Sequence, residues 1–260
     1  MSLLGWILVF SLLGGALSVL AAAVFLLLPQ PLRDRLLPHA VSFAIGALLG
    51  AALLGLLPHA LEGHGVDAHG ITGAVLLGLF GFFLLEKLVL WRHCHHEHCE
   101  VHTPEDNPPH KPAAGTLILI GDGLHNFIDG VLIGAAFLTD IHLGVVTSLA
   151  VAAHEIPQEV GDFAVLLHSG FSTARAFVFN LISSFATVLG GLLAYYGLKD
   201  FEPILPYVLA VAASSFIYVA VADLIPGLHQ RVEFSATVKQ VVLIACGVGL
   251  IYVAHSTLHA

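Results

Sequence analysis

Charged side chains are scarce in this sequence: Asp, Glu, Lys and Arg make up only 10% of its 260 residues, while 57% of the residues are hydrophobic. A soluble domain carries about a quarter of its residues as charged groups. The shortage of charge therefore excludes a water-soluble globular protein. It predicts instead a chain that crosses a membrane several times, in the cell membrane (plasma or inner).

Cysteine is rare as well, with residues only at positions 94, 99 and 246. Two of them fall in a predicted cytoplasmic connection and one falls inside a predicted helix, which excludes a fold that depends on several disulfides. No Lys or Arg precedes the first apolar stretch. That stretch lacks the basic segment of a cleavable signal peptide, so we expect it to be retained as a helix.

The sequence contains several long runs of apolar residues. A helix needs about 20 apolar residues to cross a hydrocarbon core ~30 Å thick, because it rises ~1.5 Å per residue. Eight stretches have that length: Leu3–Leu28, Ala40–Leu61, Ile71–Leu90, Gly115–Leu138, Leu143–Leu167, Ala174–Leu198, Ile204–Ile225 and Val238–Leu258. We predict an all-α membrane protein with eight transmembrane helices in a single domain, residues 1–260.

The few basic residues predict an orientation. Of the nine Lys and Arg, only Lys199 falls in a connection that follows an even-numbered span. Cytoplasmic connections carry the excess of Lys and Arg, so the odd-numbered connections should be cytoplasmic and both termini should lie outside the cytoplasm. The net charge of −9 indicates little about partners, because many of the acids lie within spans, and no nucleic-acid partner is expected.

The third connection, with its flanks residues 91–114, is rich in side chains that bind metals. Its potential ligands are His93, Cys94, His95, His96, His98, Cys99, His102 and His110. Imidazole and thiolate are ligands that zinc prefers. The spacing fits no closed zinc site, and the prolines and charges oppose a packed helix, so we predict a flexible cytoplasmic metal acceptor or sensor. A solvated polar linker is the alternative.

The fourth and fifth spans concentrate polar groups that a bilayer disfavours. A charged side chain at mid-span costs at least ~2.5–3.5 kcal/mol on insertion scales, so such residues are rarely without a function. The polar residues of these two spans are Asp122, His125, Asn126, Asp129, His154, Glu155, Gln158, Glu159 and Asp162.

Helical spacing arranges several of these groups in facing pairs. His125 and Asp129 are four residues apart and share a helix face, as do His154 and Gln158. The connection around Asp140 is so short that the two helices should pack antiparallel, with both pairs near the bilayer centre. Imidazoles, carboxylates and an amide together suit zinc, iron(II) or manganese. A polar core without a ligand is the alternative.

Further polar residues indicate a transport pathway. Pro157 cannot donate to the carbonyl of Ala153, which leaves a backbone oxygen free beside His154. Single polar residues near helix ends are weaker signals, because they also reach the membrane interface. The predicted pathway consists of His59 on the outer side and of Asp122, Asp162, Asn180, Ser183 and Asp223.

Two strings carry a family resemblance. H-N-F-I-D-G, residues 125–130, and H-E-I-P-Q-E-V-G-D, residues 154–162, resemble the ZIP family of zinc and iron transporters. Within that family, residues 154–162 are most similar to the members whose fifth span contains the motif H-E-x-P-H-E-x-G-D. The resemblance covers nearly the whole chain. It implies a homodimeric transporter that moves zinc, or alternatively iron, manganese or cadmium, into the cytoplasm. It also implies a bundle of spans 1, 4, 5 and 6 that moves against spans 2, 3, 7 and 8.

By position, the resemblance implies a central and often binuclear metal site. Its first metal would be held by His125, Asp129, His154 and Gln158. Asn126 and Glu155 would contribute to the second metal, with Asp129 or Gln158 near both ions. Two positions depart from the family pattern. Gln158 stands where that branch has His and many members have Glu, and Ser183 stands where the family has Glu on the sixth span.

Two other functions have to be weighed. Residues 154–158 begin like the H-E-x-x-H motif of metalloproteases, but Gln replaces the second His and Pro lies inside the motif, so we expect no enzyme. A cation-diffusion exporter also uses His and Asp at helical spacing. Such exporters usually have six spans and a soluble C-terminal domain, whereas this sequence stops directly after its last span.

Overall fold

Eight long helices make up the computed structural model, which describes residues 1–63, 66–93, 112–229 and 233–258. They are α1 (Leu3–Leu26), α2 (Gln30–Glu62), α3 (Ala68–His93), α4 (Pro112–Thr139), α5 (Ile141–His168), α6 (Thr173–Leu198), α7 (Glu202–Leu228) and α8 (Phe234–Leu258). No strand occurs in these four ranges. The prediction of an all-α fold is confirmed.

Seven of the helices, all except α5, are long and apolar enough to cross a membrane. Helix α5 has 28 residues, which is sufficient length, but Glu155, Glu159 and Asp162 interrupt its apolar run. The chain is therefore a multi-pass integral membrane protein, with seven spans evident from length and composition in the part that the structure describes.

Helix α2 begins earlier than its apolar run, at Gln30 rather than at Ala40. Pro31 fits the first turn of a helix, because the backbone N–H groups of that turn have no partner within the helix. Arg33 and Arg35 follow within the same helix rather than in the separate connection that the sequence indicates. The apolar run of the sequence thus gives only the membrane-embedded part of this helix. The helix itself extends about ten residues further toward its N-terminus.

Prolines alter the hydrogen bonding of α2 and α7 at corresponding places. Each helix contains a π-helical segment, Ala51–Leu56 in α2 and Val219–Leu224 in α7, that ends shortly before Pro58 or Pro226. Proline has no N–H, and its ring clashes with the carbonyl four residues earlier in an α-helix. The wider π-helical turn relieves that clash, so both helices continue through their prolines.

Close contacts at glycines position α6 against α4. A Cβ added to Gly130 would lie 1.9 Å from the carbonyl oxygen of Thr187, and one added to Gly190 would lie 2.0 Å from that of Phe127. Small residues at such positions let two helix backbones approach closely in a membrane. The contact brings the polar residues of α6 next to those of α4.

The link between α4 and α5 is a single residue, Asp140, whose carboxylate caps α5. It accepts hydrogen bonds from the backbone N–H groups of His142 at 2.8 Å and Leu143 at 3.0 Å. So short a link makes α4 and α5 an antiparallel pair, as predicted. Around them, α1 packs on α5 and α6, while α3 packs on α7 and α8 packs on α2.

Candidate metal site

Four side chains from α4 and α5 meet inside the helix bundle. His125 and Asp129 come from α4, and His154 and Glu155 come from α5. Each offers one ligand atom, and the four atoms all lie within 4.8 Å of one another. Three of the side chains are at most 1% exposed, whereas that of His125 is 23% exposed. Within the four described ranges, no other His, Cys, Asp or Glu side chains gather in this way.

Most pairs of ligand atoms are separated by distances close to those around a tetrahedral ion. Nε2 of His154 lies 3.2 Å from Nε2 of His125 and 3.2 Å from Oδ2 of Asp129, which is 3.7 Å from the His125 nitrogen. Oε1 of Glu155 is 3.5 Å from Nε2 of His125 and 3.8 Å from Nε2 of His154. Bonds of about 2.0–2.1 Å in tetrahedral geometry separate ligand atoms by roughly 3.3–3.4 Å. Five of the six separations thus lie within about 0.5 Å of those around a tetrahedral zinc ion, and the sixth, between the two carboxylate oxygens, is at most 4.8 Å.

The ring of His154 is held in the orientation that a ligand needs. Its Nδ1 lies 3.0 Å from the carbonyl oxygen of Ala150, to which it donates when the proton is on Nδ1. That tautomer leaves the lone pair of Nε2 directed at the cluster. The ring of Phe216 in α7 packs edge-on against the imidazole, with centroids 6.2 Å apart, and limits its rotation.

The two carboxylates of the cluster are buried without hydrogen bonds. Neither oxygen of Asp129 or of Glu155 has a hydrogen-bond partner among the described residues. A buried carboxylate is strongly disfavoured unless a cation or donors compensate its charge. Two carboxylates and two neutral imidazoles carry a charge of −2, which one divalent cation balances. The cluster therefore has the charge as well as the geometry for one such ion.

A cavity of 450 Å³ reaches this cluster from one end of the bundle. His125 and Gln158 line its inner part. Its acidic lining residues are Glu86, Asp122, Asp162 and Asp223. Each of these acids lies in the half of its helix that leads to the third, fifth or seventh connection, so the cavity opens where the odd-numbered connections are.

The opposite halves of the same helices are filled by apolar side chains. Ile133 and Phe137 of α4 and Val146 and Val151 of α5 are buried in the main hydrophobic core. His59, the predicted outer residue, lies at that opposite end of the bundle, near the end of α2. Its Nδ1 is 2.9 Å from the carbonyl oxygen of Gly55, and its ring packs edge-on against His255 of α8 with centroids 5.4 Å apart.

Asn126 and Asp122 hydrogen-bond each other and α6. Nδ2 of Asn126 donates to Oδ1 of Asp122 at 2.8 Å, and Oδ1 of Asn126 accepts from the hydroxyl of Thr187 at 2.8 Å. Oδ2 of Asp122 accepts a short hydrogen bond from the hydroxyl of Ser183. Glu159 and Asn180 lie nearby and are fully buried, and none of their side-chain polar atoms has a hydrogen-bond partner among the described residues.

Glu86 and Tyr218 line the cavity but were not predicted. The hydroxyl of Tyr218 in α7 donates to the carboxylate of Glu86 in α3. Glu86 lies within the third apolar run, so the cost of a charge inside a span, the signal used for α4 and α5, marks it too. Tyrosine gives no comparable signal, because it is common at membrane interfaces.

The predicted metal-binding connection falls almost entirely outside the described residues. His93 is the last residue of α3. The other seven potential ligands, Cys94, His95, His96, His98, Cys99, His102 and His110, lie within residues 94–111, which the structure does not describe.

Most of the chain is similar to proteins named zinc transporters. The family model described as ZIP Zinc transporter matches residues 2–113 and 91–255. Zinc transporter ZIP4 of Homo sapiens is 32% identical over 72% of this chain, and zinc transporter ZIP5 of Homo sapiens is 36% identical over 85%. The chain spans only 38% of the former and 54% of the latter. For zinc transporter ZIP10 of Danio rerio the identity is 40%, over 48% of this chain and 16% of that protein.

Proposed function

Because the chain belongs to the ZIP zinc transporter family, we propose that it carries divalent metal ions, zinc foremost, across a membrane into the cytoplasm. The transported ion binds to His125, Asp129, His154 and Glu155 on its way. The observation that carries this proposal is the close approach of four ligand atoms, all within 4.8 Å of one another, two of them on buried carboxylates without hydrogen bonds. Iron, manganese and cadmium are further candidates, because the same nitrogen and oxygen ligands accept them.

Helix α5 is the eighth span in this proposal. The charged residues that lower its hydropathy face the cluster and its neighbours, where the lining is polar and not lipid. Its antiparallel partner α4 is among the apolar spans. Because only one residue links the two helices, α5 begins where α4 ends and runs back alongside it. Eight spans and the distribution of Lys and Arg together support termini that both lie outside the cytoplasm.

The open side of the cavity supports the proposed direction of transport. Leu37 lines the cavity and lies just after Arg33 and Arg35, so the open end coincides with the basic, cytoplasmic end of the bundle. The structure in this state supports release of metal to the cytoplasm. His59 would meet the incoming ion at the opposite end, and the residues of the third connection would accept it after release.

Neither alternative function gains support from the relatives, whose names are those of zinc transporters. The proposal therefore assigns no enzymatic reaction to Glu155, which serves as a metal ligand. A homodimer, and the movement of α1, α4, α5 and α6 against the other helices, stay predictions from the resemblance. Cleavage of a peptide by the purified protein, lost in Glu155→Gln, would favour the metalloprotease interpretation instead.

Zinc uptake into vesicles loaded with a zinc-sensitive dye tests the proposal. Wild-type protein should transport zinc, and the double variant His125→Ala/His154→Ala should fall to the rate of protein-free vesicles, because both imidazoles supply ligand atoms. The matched control is His69→Ala/His229→Ala, which removes two exposed imidazoles outside the cluster and should keep the wild-type rate. Full transport by the first double variant would refute the site.

The cavity residue Asp223 should influence the rate of transport and not the affinity of the cluster. It lines the cavity without belonging to the four ligands, and its charge attracts a cation that leaves them. We expect Asp223→Asn to lower zinc uptake severalfold and to leave zinc affinity within a factor of about two. Asp67→Asn, which neutralises an exposed acid at the opposite end, is the control. An unchanged uptake rate in Asp223→Asn would remove this residue from the pathway.

A further inference from the structure

We infer that a cavity between the ends of α1, α2 and α5 binds an anionic phospholipid, with the guanidinium of Arg33 at the phosphate of the headgroup. The cavity has a volume of 400 Å³, which is within the usual range of about 300–1,000 Å³ for ligand pockets. It is separate from the cavity that reaches the metal cluster, since Leu37 alone lines both. The inference rests on the proposed orientation of the helices and goes beyond the transport of metal.

The cavity lies where three helices meet at one end of the bundle. Helix α1 ends at Leu26, α2 begins at Gln30 and α5 ends at His168, and all three of these residues line the cavity. In the proposed orientation this end is cytoplasmic, so the cavity is at the level of the headgroups of the inner leaflet. That leaflet carries anionic lipids, whose headgroups bind in basic pockets between transmembrane helices.

Arg33 brings an unsatisfied donor to the cavity wall. Its Nε atom is buried and has no hydrogen-bond partner among the described residues. The ion pairs found in that part of the chain all belong to the two histidines of the metal cluster, so none of them neutralises Arg33. Asp34 lines the cavity too, but has an interaction of its own. A buried donor without a partner is costly, and a phosphate oxygen, which a guanidinium binds in a planar fork, would satisfy it.

The remaining wall suits an acyl chain. Leu37 of α2 and Val160, Ala164 and Leu167 of α5 present apolar surface to the cavity, and the three residues of α5 recur at helical spacing. Ala164 and Leu167 are also exposed on the surface of the bundle. In a membrane protein such a surface faces lipid, so this wall opens to the surrounding bilayer. An acyl chain can therefore enter from the side while its headgroup stays at the interface.

Two further residues of α5 fit the same occupant. Gly161 leaves the wall open, because a Cβ added there would meet no neighbouring atom within 4 Å. At the rim, Nδ1 of His168 lies 2.8 Å from the carbonyl oxygen of Ala164. When the proton is on Nδ1, this bond holds the ring, and Nε2 is left to accept a hydrogen bond from a hydroxyl of the headgroup.

Native mass spectrometry of the full-length protein in detergent tests the headgroup contact. Phosphatidylglycerol, which is anionic, is titrated beside phosphatidylcholine with the same acyl chains. The wild type should prefer phosphatidylglycerol by about fivefold or more, and Arg33→Gln should remove the preference by weakening the binding of that lipid alone. The matched control is Arg175→Gln, the same change at an exposed arginine of α6 outside the cavity, and it should keep the preference. Equal losses in the two variants, or no preference in the wild type, would overturn the inference.

Two further arms test the source of the phosphate and the place of the acyl chain. Inorganic phosphate should not displace phosphatidylglycerol, and displacement by it would make a free anion the ligand and overturn the inference. Gly161→Leu should weaken the binding of both lipids severalfold, because its side chain occupies the cavity. Gly197→Leu, at an exposed glycine of α6 where an added Cβ also meets nothing, should bind as the wild type does. Unchanged binding in Gly161→Leu would place the chain outside the cavity and overturn the inference. None of these arms measures zinc, so their failure would leave the transport site in place.

Discussion

Asp129→Asn is expected to reduce zinc uptake on the order of 100-fold or more, which is a larger loss than for any residue outside the four ligands. Oδ2 of Asp129 lies 3.2 Å and 3.7 Å from the two imidazole nitrogens, so it is within the space that an ion would occupy. The amide has nearly the same shape as the carboxylate but removes one of the two negative charges. A divalent ion that leaves water for a buried site then retains an uncompensated positive charge, which is strongly disfavoured.

The measurement is the initial rate of zinc-dependent fluorescence in vesicles that contain equal amounts of folded protein. Asp200→Asn provides the matched control, because it makes the same chemical change at an exposed residue between α6 and α7. Its rate should equal that of the wild type. If Asp129→Asn kept more than half of the wild-type rate, the carboxylate would not be a ligand of the transported ion, and the cluster would have to be interpreted as a polar core.

The pairing of α4 with α5 could be predicted from the sequence because it depends on local information. Helical periodicity places His125 and Asp129 on one face, and the short connection at Asp140 forces an antiparallel pair. Counting turns from that connection then gives similar depths for His125 and His154. The structure agrees on this pairing, with the two Nε2 atoms 3.2 Å apart.

The hydrogen bonds from Thr187 to Asn126 and from Ser183 to Asp122 could not be predicted, because both donors lie on α6, 61 residues further along the chain. They depend on how closely α6 approaches α4, and that distance is set by the glycines at 130 and 190 together. Small residues on a helix indicate that some close contact exists, but not which helix provides it. The sequence therefore indicated Ser183 as a departure from the family and left its hydrogen bond to Asp122 unknown.

The position of Glu155 beside the two histidines could not be predicted for a similar reason. On a helical wheel, Gln158 shares the face of His154, whereas Glu155 lies one residue around it. Which of the two points toward α4 depends on the rotation of α5 about its own axis, and neighbouring helices determine that rotation. In the structure, Glu155 has an oxygen 3.5 Å from the His125 nitrogen, while Gln158 lines the cavity.

Glu155→Gln is therefore expected to weaken zinc binding about 100-fold, since it removes a charge and a ligand oxygen from the cluster. Gln158→Ala should weaken zinc binding by no more than about tenfold, as expected for a neutral group that lies next to the ligands without binding the ion. Because Gln158 borders the route between His125 and the open cavity, its loss should alter the uptake rate more than the affinity. The two substitutions thus separate a ligand from a residue of the pathway.

Competition between the purified protein and a zinc indicator of known affinity measures the difference. Asp129→Asn serves as the baseline, because it keeps the ligands of the third connection and removes the membrane site. A loss in Gln158→Ala as large as in Glu155→Gln would make Gln158 a ligand, in agreement with the first-metal set that the resemblance implies. Equal affinity of Glu155→Gln and the wild type would show that Glu155 is not a ligand of the bound ion.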